Sequence, residues 1–299
     1  MQILKPIVHE TIWGGAKLTP FSGSDCKKIG HLYSFIDTGE FKNEIIAGKD
    51  KGKNLHEWFF ENRSKYGLEK YHELPILAAL VDADGDLSVQ LHPDDEMARK
   101  LEDKPFGKNE SFYTLQAPAC GKMYNGCLAA NPGDMRQKIA DGKIAEALDM
   151  MPCKAGDYVY IAGGTLHAAT AGSLHFEIEE NCEKTYRIWD YDRTDENGNK
   201  RPLQLEKALA CLDVYKKSIA AEYNDDEPIE ERMYSTRRIA GKDSFTNAGD
   251  MFSFAVMLKG DKTIDGARVL PGTAVLLEAG ETLDTSGAEW IIATPRAAL

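Results

Sequence analysis

Residues 87–92, Leu-Ser-Val-Gln-Leu-His, alternate strictly between apolar and polar side chains. In an extended strand successive side chains point to opposite faces, so Leu87, Val89 and Leu91 share one face and Ser88, Gln90 and His92 the other. Residues 158–161, 174–179 and 186–190 continue this period, and Phe252, Phe254, Val256 and Leu258 alternate with smaller or polar neighbours. Glycine-bounded apolar runs follow at 273–277 and 290–293. Many short strands between Gly and Asp turns predict a mainly β chain, a sandwich or jelly roll with a few appended helices.

The helix signals are local. Asn54 followed by Glu57 forms a capping-box pattern opening 55–60, and Asp94 and Asp95 precede a short helix over 96–104. Asp134 is expected to cap a helical stretch to Met150 broken at Gly142, and Leu205, Leu209 and Leu212 mark one helical stripe. The polar stretch 222–231, which includes the acidic run Asp225-Asp226-Glu227 read as a solvated loop, is the best linker. It divides an expected catalytic unit, 1–220, from a smaller all-β unit, 221–299.

With 36 Lys and Arg against 48 Asp and Glu, the formal net charge is −12. Such a chain has no general attraction for a phosphate backbone, so no nucleic-acid partner is expected. No apolar run approaches the roughly 20 residues of a spanning helix, and the first residues lack a signal-peptide core, so no membrane partner is expected either. Cys26, Cys120, Cys127, Cys153, Cys182 and Cys211 are scattered without a C-x-x-C pair, which fits reduced thiols in the cytoplasm.

Four residue types point to chemistry. A Ser, a Gln and a His side by side are unusual on a strand that merely meets solvent. A second imidazole, His167, follows the turn Ala162-Gly163-Gly164-Thr165-Leu166, and Glu110 is a candidate carboxylate. Two neutral imidazoles and one carboxylate with open positions make a workable catalytic zinc site.

Four stretches then resemble the type I mannose-6-phosphate isomerases in their short bacterial form, members of the cupin superfamily. They are Leu87-Ser88-Val89-Gln90-Leu91-His92-Pro93-Asp94-Asp95, Gly107-Lys108-Asn109-Glu110-Ser111-Phe112-Tyr113, Gly164-Thr165-Leu166-His167-Ala168, and Glu177-Ile178-Glu179-Glu180 continued by Thr185-Tyr186-Arg187-Ile188-Trp189-Asp190-Tyr191-Asp192-Arg193. Ile12-Trp13-Gly14-Gly15 also fits. The resemblance implies a cupin-type jelly-roll barrel with a cupin-like C-terminal unit. It also implies one Zn2+ per chain held by Gln90, His92, Glu110 and His167, and a sugar-phosphate substrate. The implied reaction interconverts mannose 6-phosphate and fructose 6-phosphate through a cis-enediol. Glu177 is then the acid/base group and Arg187 the cation at the reacting oxygens. Lys108 binds phosphate or joins a proton relay, and Ser88 donates to the phosphate.

The chain departs from the family pattern twice. Gly30-His31-Leu32-Tyr33-Ser34 carries His31 where the family has Glu, and Pro75-Ile76-Leu77-Ala78-Ala79 carries Ala79 where it has Lys. The departures motivate two alternatives: an isomerase of the same fold acting on a shifted, unphosphorylated sugar, and a sugar-binding cupin without catalysis. His31 is expected to be a structural imidazole, and His9, His56 and His72 surface or helix residues. Asp190, Asp192 and Arg193 are expected to form ion pairs around a turn. His175, Glu177 and Glu179 share one strand face, and a second metal there is the less favoured reading.

Overall fold

The computed structural model describes residues 1–194, 197–223 and 227–297. Asp225 and Asp226 of the acidic run lie outside the described residues. The architecture is mainly β, as expected. It forms two compact units, one of Met1–His9, Lys17–Leu80 and Tyr223–Leu299, the other of Glu10–Ala16 and Val81–Glu222.

The first unit contains a seven-stranded antiparallel sheet ordered Ile229–Glu230, Tyr234–Ala240, Glu289–Pro295, Ser253–Lys259, Ala274–Leu277, Gln2–Leu4 and Ile45–Gly48. The C-terminal strands therefore share a sheet with the first fifty residues, where a division at 220/221 would have them stand alone. The reason is burial. Ala255, Met257, Val275, Leu277 and Trp290 form an apolar layer that Ile3 and Ala47 complete. The helix Leu55–Asn62 carries the expected capping box, and its His56 lies 3.0 Å from buried Asp37. His31 clusters with His9 and Tyr33 in a triangle of near-parallel rings, its centroid 5.5 and 5.3 Å from theirs.

The second unit holds every predicted site residue. Its strands are β1 (Val89–Leu91), β2 (Glu110–Gln116), β3 (Lys122–Cys127), β4 (Leu148–Pro152), β5 (Asp157–Ile161), β6 (His167–Ala168), β7 (Ser173–Glu180), β8 (Tyr186–Trp189) and β9 (Ala220–Glu222). One sheet runs β8-β1-β6-β3-β4, and the other carries β9-β5-β2-β7. Side chains from their inner faces meet, as Phe112 of β2 does edge-on with His167 of β6. Both faces of 87–92 are thereby buried: Val89 and Leu91 face the outer core, while Ser88 and His92 point inward at 1% exposure. That is why a strand with a polar face is not a surface strand here. One end of the interior is apolar, built from Phe112, Met123, Cys153, Val159 and Ile161.

The helix after β1 is Asp95–Glu102, with Asp94 accepting from the Met97 amide as expected. The stretch 134–150 differs. A helix spans Pro132–Ala140 with Asn131 as its cap, and Leu148–Pro152 is a strand. Gly142, at φ 69°, ends the helical backbone, and Met150 and Met151 pair with Tyr124 and Met123 on β3.

Backbone contacts lace the three site-bearing segments together. The Gly164 N–H donates to the His92 carbonyl and the Lys108 N–H to that of Pro93, at 2.8 and 3.0 Å. Gly107 and Gly163 both press on the 93–94 backbone. A Cβ on Gly107 would collide with the Pro93 carbonyl, and one on Gly163 would lie 2.8 Å from the Pro93 oxygen and the Asp94 nitrogen. Gly107→Ala is therefore expected to cost about 1–3 kcal/mol in urea denaturation and to displace His92. Gly39→Ala, whose Cβ would meet nothing within 4 Å, should stay within about 0.5 kcal/mol of the parent. Equal stabilities of the two variants would contradict the close-approach argument.

Candidate metal centre

Antiparallel register sets the geometry of the site. On one sheet Arg187 (β8), Gln90 (β1), His167 (β6) and Asn125 (β3) form a single transverse row, each opposite the next. On the facing sheet Glu110 (β2) lies between Ile161 (β5) and Glu179 (β7), and Glu177 lies opposite Phe112. Residues directly opposite share a face, so two rows of polar side chains confront each other inside the barrel.

At their meeting point are His92, Glu110 and His167, all at most 1% exposed, each offering a ligand atom within 4.8 Å of the other two. The Nδ1 of His92 lies 2.9 Å from the Lys184 carbonyl oxygen, and that of His167 2.9 Å from the Thr165 carbonyl oxygen. A carbonyl only accepts, so each Nδ1 carries the proton and each Nε2 presents a lone pair. Those Nε2 atoms face Glu110, at 3.0 Å from Oε2 for His92 and 2.9 Å from Oε1 for His167. None of the four atoms makes a geometrically acceptable hydrogen bond. Burial pushes His92 down to about 4, which keeps it neutral near pH 7. Buried lone pairs aimed at one another at 3 Å repel unless a cation lies among them. The donor set of two imidazole nitrogens and a carboxylate fits zinc, with room for further ligands.

Gln90 is half-buried, beside His167 in the row, and its Oε1 accepts from the Ser88 hydroxyl at 3.3 Å. Ser88, expected to donate to a phosphate, is itself 1% exposed and directed at that amide. Lys108 is buried among carboxylates, its Nζ 2.5 Å from Glu179 and 3.3 Å from Glu110. Burial opposes its charge, but Glu179, Glu110 and Glu177 together hold its pKa above the ordinary lysine range. Glu177, 5% exposed, is pushed well above the usual carboxylate range by burial and by the charges of Glu179 and Glu110. Arg187 is half-buried, and its guanidinium makes no hydrogen bond or ion pair to the described residues. Burial and neighbouring Arg201 lower its pKa. Asp190 is clamped by Arg193, as expected, and also by Arg201, with contacts of 2.6 and 2.8 Å.

One supporting residue, Asn109, carries no signal of its own in the sequence. The Asn109 side chain accepts from the Gly163 N–H at 2.8 Å and donates to Glu180 at 2.9 Å. It ties the Lys108–Glu110 segment to the turn before His167 and to the end of β7. Its place between two predicted site residues was the only available clue.

Among the described residues, His175 joins no group that could hold a metal. It packs on Phe112 at 5.4 Å, is 1% exposed, and neither ring nitrogen has a hydrogen-bond partner. A second group that could hold a metal, Glu110 with Glu177 and Glu179, already contains the Lys108 ammonium. Burial lowers His175 from its ordinary 6.5 to about 4. Between those values the unfolded chain binds a proton that the folded chain does not, so stability falls as pH falls through the window. His175→Leu should make that loss shallower by about 1.4 kcal/mol per pH unit in the middle of the window. Urea midpoints for wild type and variant between pH 6.5 and 4 measure this, and parallel curves would contradict it.

Comparison with known proteins identifies the family of the chain. Residues 1–116 match the family model for the catalytic domain of type I phosphomannose isomerase. The mannose-6-phosphate isomerase of Streptococcus mutans is 33% identical over 215 residues, covering 71% of this chain and 68% of that one. The mannose-6-phosphate isomerase ManA of Bacillus subtilis is 33% identical over 211 residues, covering 70% and 67%. The crystal structure of a Bacillus subtilis mannose 6-phosphate isomerase superposes with a TM-score of 0.84 at 25% identity, over 98% of both chains. A mannose 6-phosphate isomerase solved with zinc and yttrium has the same fold, with a TM-score of 0.71 at 14% identity over 99% and 100% of the chains. The paired rows of Arg187, Gln90 and His167 and of Glu110 and Glu179 thus sit in a chain that belongs to the type I phosphomannose isomerase family.

Proposed function

We propose that this chain interconverts mannose 6-phosphate and fructose 6-phosphate through a cis-enediol, with one Zn2+ per chain held by Gln90, His92, Glu110 and His167. The observation that carries the metal site is the convergence of buried, unbonded lone pairs from His92, His167 and Glu110. The names of the relatives support the substrate.

The rest of the site fits an aldose–ketose exchange, which needs a proton moved between C2 and C1 and positive charge at the sugar oxygens. Bound zinc would supply Lewis acidity at those oxygens and fix the site's geometry. Glu177 is the proton carrier, since a buried carboxyl whose pKa is raised toward neutrality both takes and returns a proton. The Arg187 guanidinium makes no hydrogen bond or ion pair among the described residues, so its donors are available to an enediolate oxygen. Lys108 lies among Glu110, Glu177 and Glu179 and acts in the proton relay. Ser88 orients the Gln90 amide so that its oxygen serves as a ligand. Six unpaired cysteines support a reducing compartment, the cytoplasm, and no helix among the described residues is long and apolar enough to cross a membrane.

A second reading, an isomerase of the same fold for an unphosphorylated sugar, draws on one observation. Position 79 is an alanine 1% exposed in a strand buried at every residue, so that position offers no cation to a phosphate. Turnover of mannose 6-phosphate and of mannose by the zinc-loaded protein, with the ketose product detected in a coupled assay, separates the two. The proposal predicts turnover of the phosphosugar, and faster turnover of free mannose would overturn it.

Two substitutions test the roles. His167→Ala should lose zinc and activity together. Arg187→Ala should keep the zinc content of the parent while kcat falls about 10²–10³-fold. Retained zinc in His167→Ala, or zinc loss in Arg187→Ala, contradicts the assignment.

A further inference from the structure

We propose that Glu179 is a positioning residue: its carboxylate draws the Lys108 ammonium away from the Glu110 oxygen that faces His92, and so leaves that oxygen to the cation. The inference rests on the reading of His92, Glu110 and His167 as a cation site.

The competition is visible in the distances. Glu110 Oε2 lies 3.0 Å from His92 Nε2 and 3.3 Å from Lys108 Nζ, so one oxygen is contested by the cation position and by the lysine. Glu179 Oε2 lies 2.5 Å from the same Nζ, the shorter of the two lysine contacts. Register makes the arrangement rigid, because Glu179 is paired directly opposite Glu110 across β7 and β2. Lys108 is only two residues before Glu110, and its amide is tied to Pro93. The lysine therefore cannot leave the neighbourhood, and the choice of carboxylate is what decides where its charge rests. Both side chains are nearly closed to solvent, with Lys108 at 7% and Glu179 at 8% exposure, so water does not screen the competition.

Charge gives the same answer. The Glu179 carboxylate balances the Lys108 ammonium, which leaves the charge of Glu110 to the cation. Without Glu179, the strongest remaining acceptor for the ammonium is the metal-facing carboxylate itself. A carboxylate shared with an ammonium is a poorer ligand, and changes to groups that orient ligands typically cost about 10–100-fold in metal affinity.

The test measures zinc affinity of the purified full-length protein by chelator competition. Glu179→Gln should weaken zinc binding about 10–100-fold, and Glu179→Asp, which keeps the charge, should recover part of the loss. Lys108→Met should bind zinc at least as tightly as the parent, and adding Glu179→Gln to it should cause little further loss. An equal loss from Glu179→Gln with and without Lys108 would overturn the proposal, because Glu179 would then act on the cation by charge alone. So would an unchanged affinity in Glu179→Gln. If Glu179→Gln does not fold, weaker zinc binding by Lys108→Met overturns it on its own. His167→Ala keeps the two questions apart: if it binds zinc like the parent, the cation-site reading itself is wrong. If it loses zinc while the Glu179–Lys108 cycle shows no coupling, only the positioning role is wrong.

Discussion

Three lone-pair donors held against one another in a closed interior are the constraint around which the second unit is arranged. His92 and His167 each spend Nδ1 on a backbone carbonyl, so neither can turn its free nitrogen away from Glu110. These side chains are fixed mostly by backbone: the transverse row across β8, β1, β6 and β3, the opposing row on β5, β2 and β7, and the contacts that lace 92–95, 107–110 and 162–164 together, with the Asn109 side chain tying the last two. A site built on strands and tight glycine contacts is more rigid than one built on loops, and rigid ligand placement is what a catalytic cation needs.

The electrostatics follow from the same enclosure. Three carboxylates and one ammonium are buried in an interior that elsewhere holds Phe112, Met123 and Val159. Burial and the charges of Glu179 and Glu110 push Glu177 up, while His92, Lys108 and His167 outweigh burial and hold Glu110 down. That separation suits the roles proposed for them, Glu110 as an ionised ligand and Glu177 as a group that holds and returns a proton. Arg187, half-buried with no ion pair among the described residues, completes the set on the opposite sheet.

Much of this was readable in the chain. The alternation of 87–92 placed Ser88, Gln90 and His92 on one face, and the Asn54–Glu57 and Asp94 caps marked two helices correctly, because strand period and capping are local properties. Strand partners are not local. The apolar run 273–277 says that Val275 needs cover but not that Ile3 provides it, so the union of the N-terminal strands with the C-terminal sheet could not be read in advance. The same holds for Asn109, whose role depends on Gly163 and Glu180 being brought to it. At 148–152, β pairing with β3 prevailed over a helical reading that Gly142 already weakened. His31 and Ala79, departures from the family pattern, are accommodated as a stacked ring and a buried methyl.

The central claim is that one divalent cation is held between the facing sheets by side chains of both. Zinc X-ray absorption on the purified protein tests it most directly. The account predicts one zinc per chain in a shell of two imidazole nitrogens with oxygen ligands and no sulfur. A sulfur-containing shell, or a shell unchanged by His92→Ala, would contradict it.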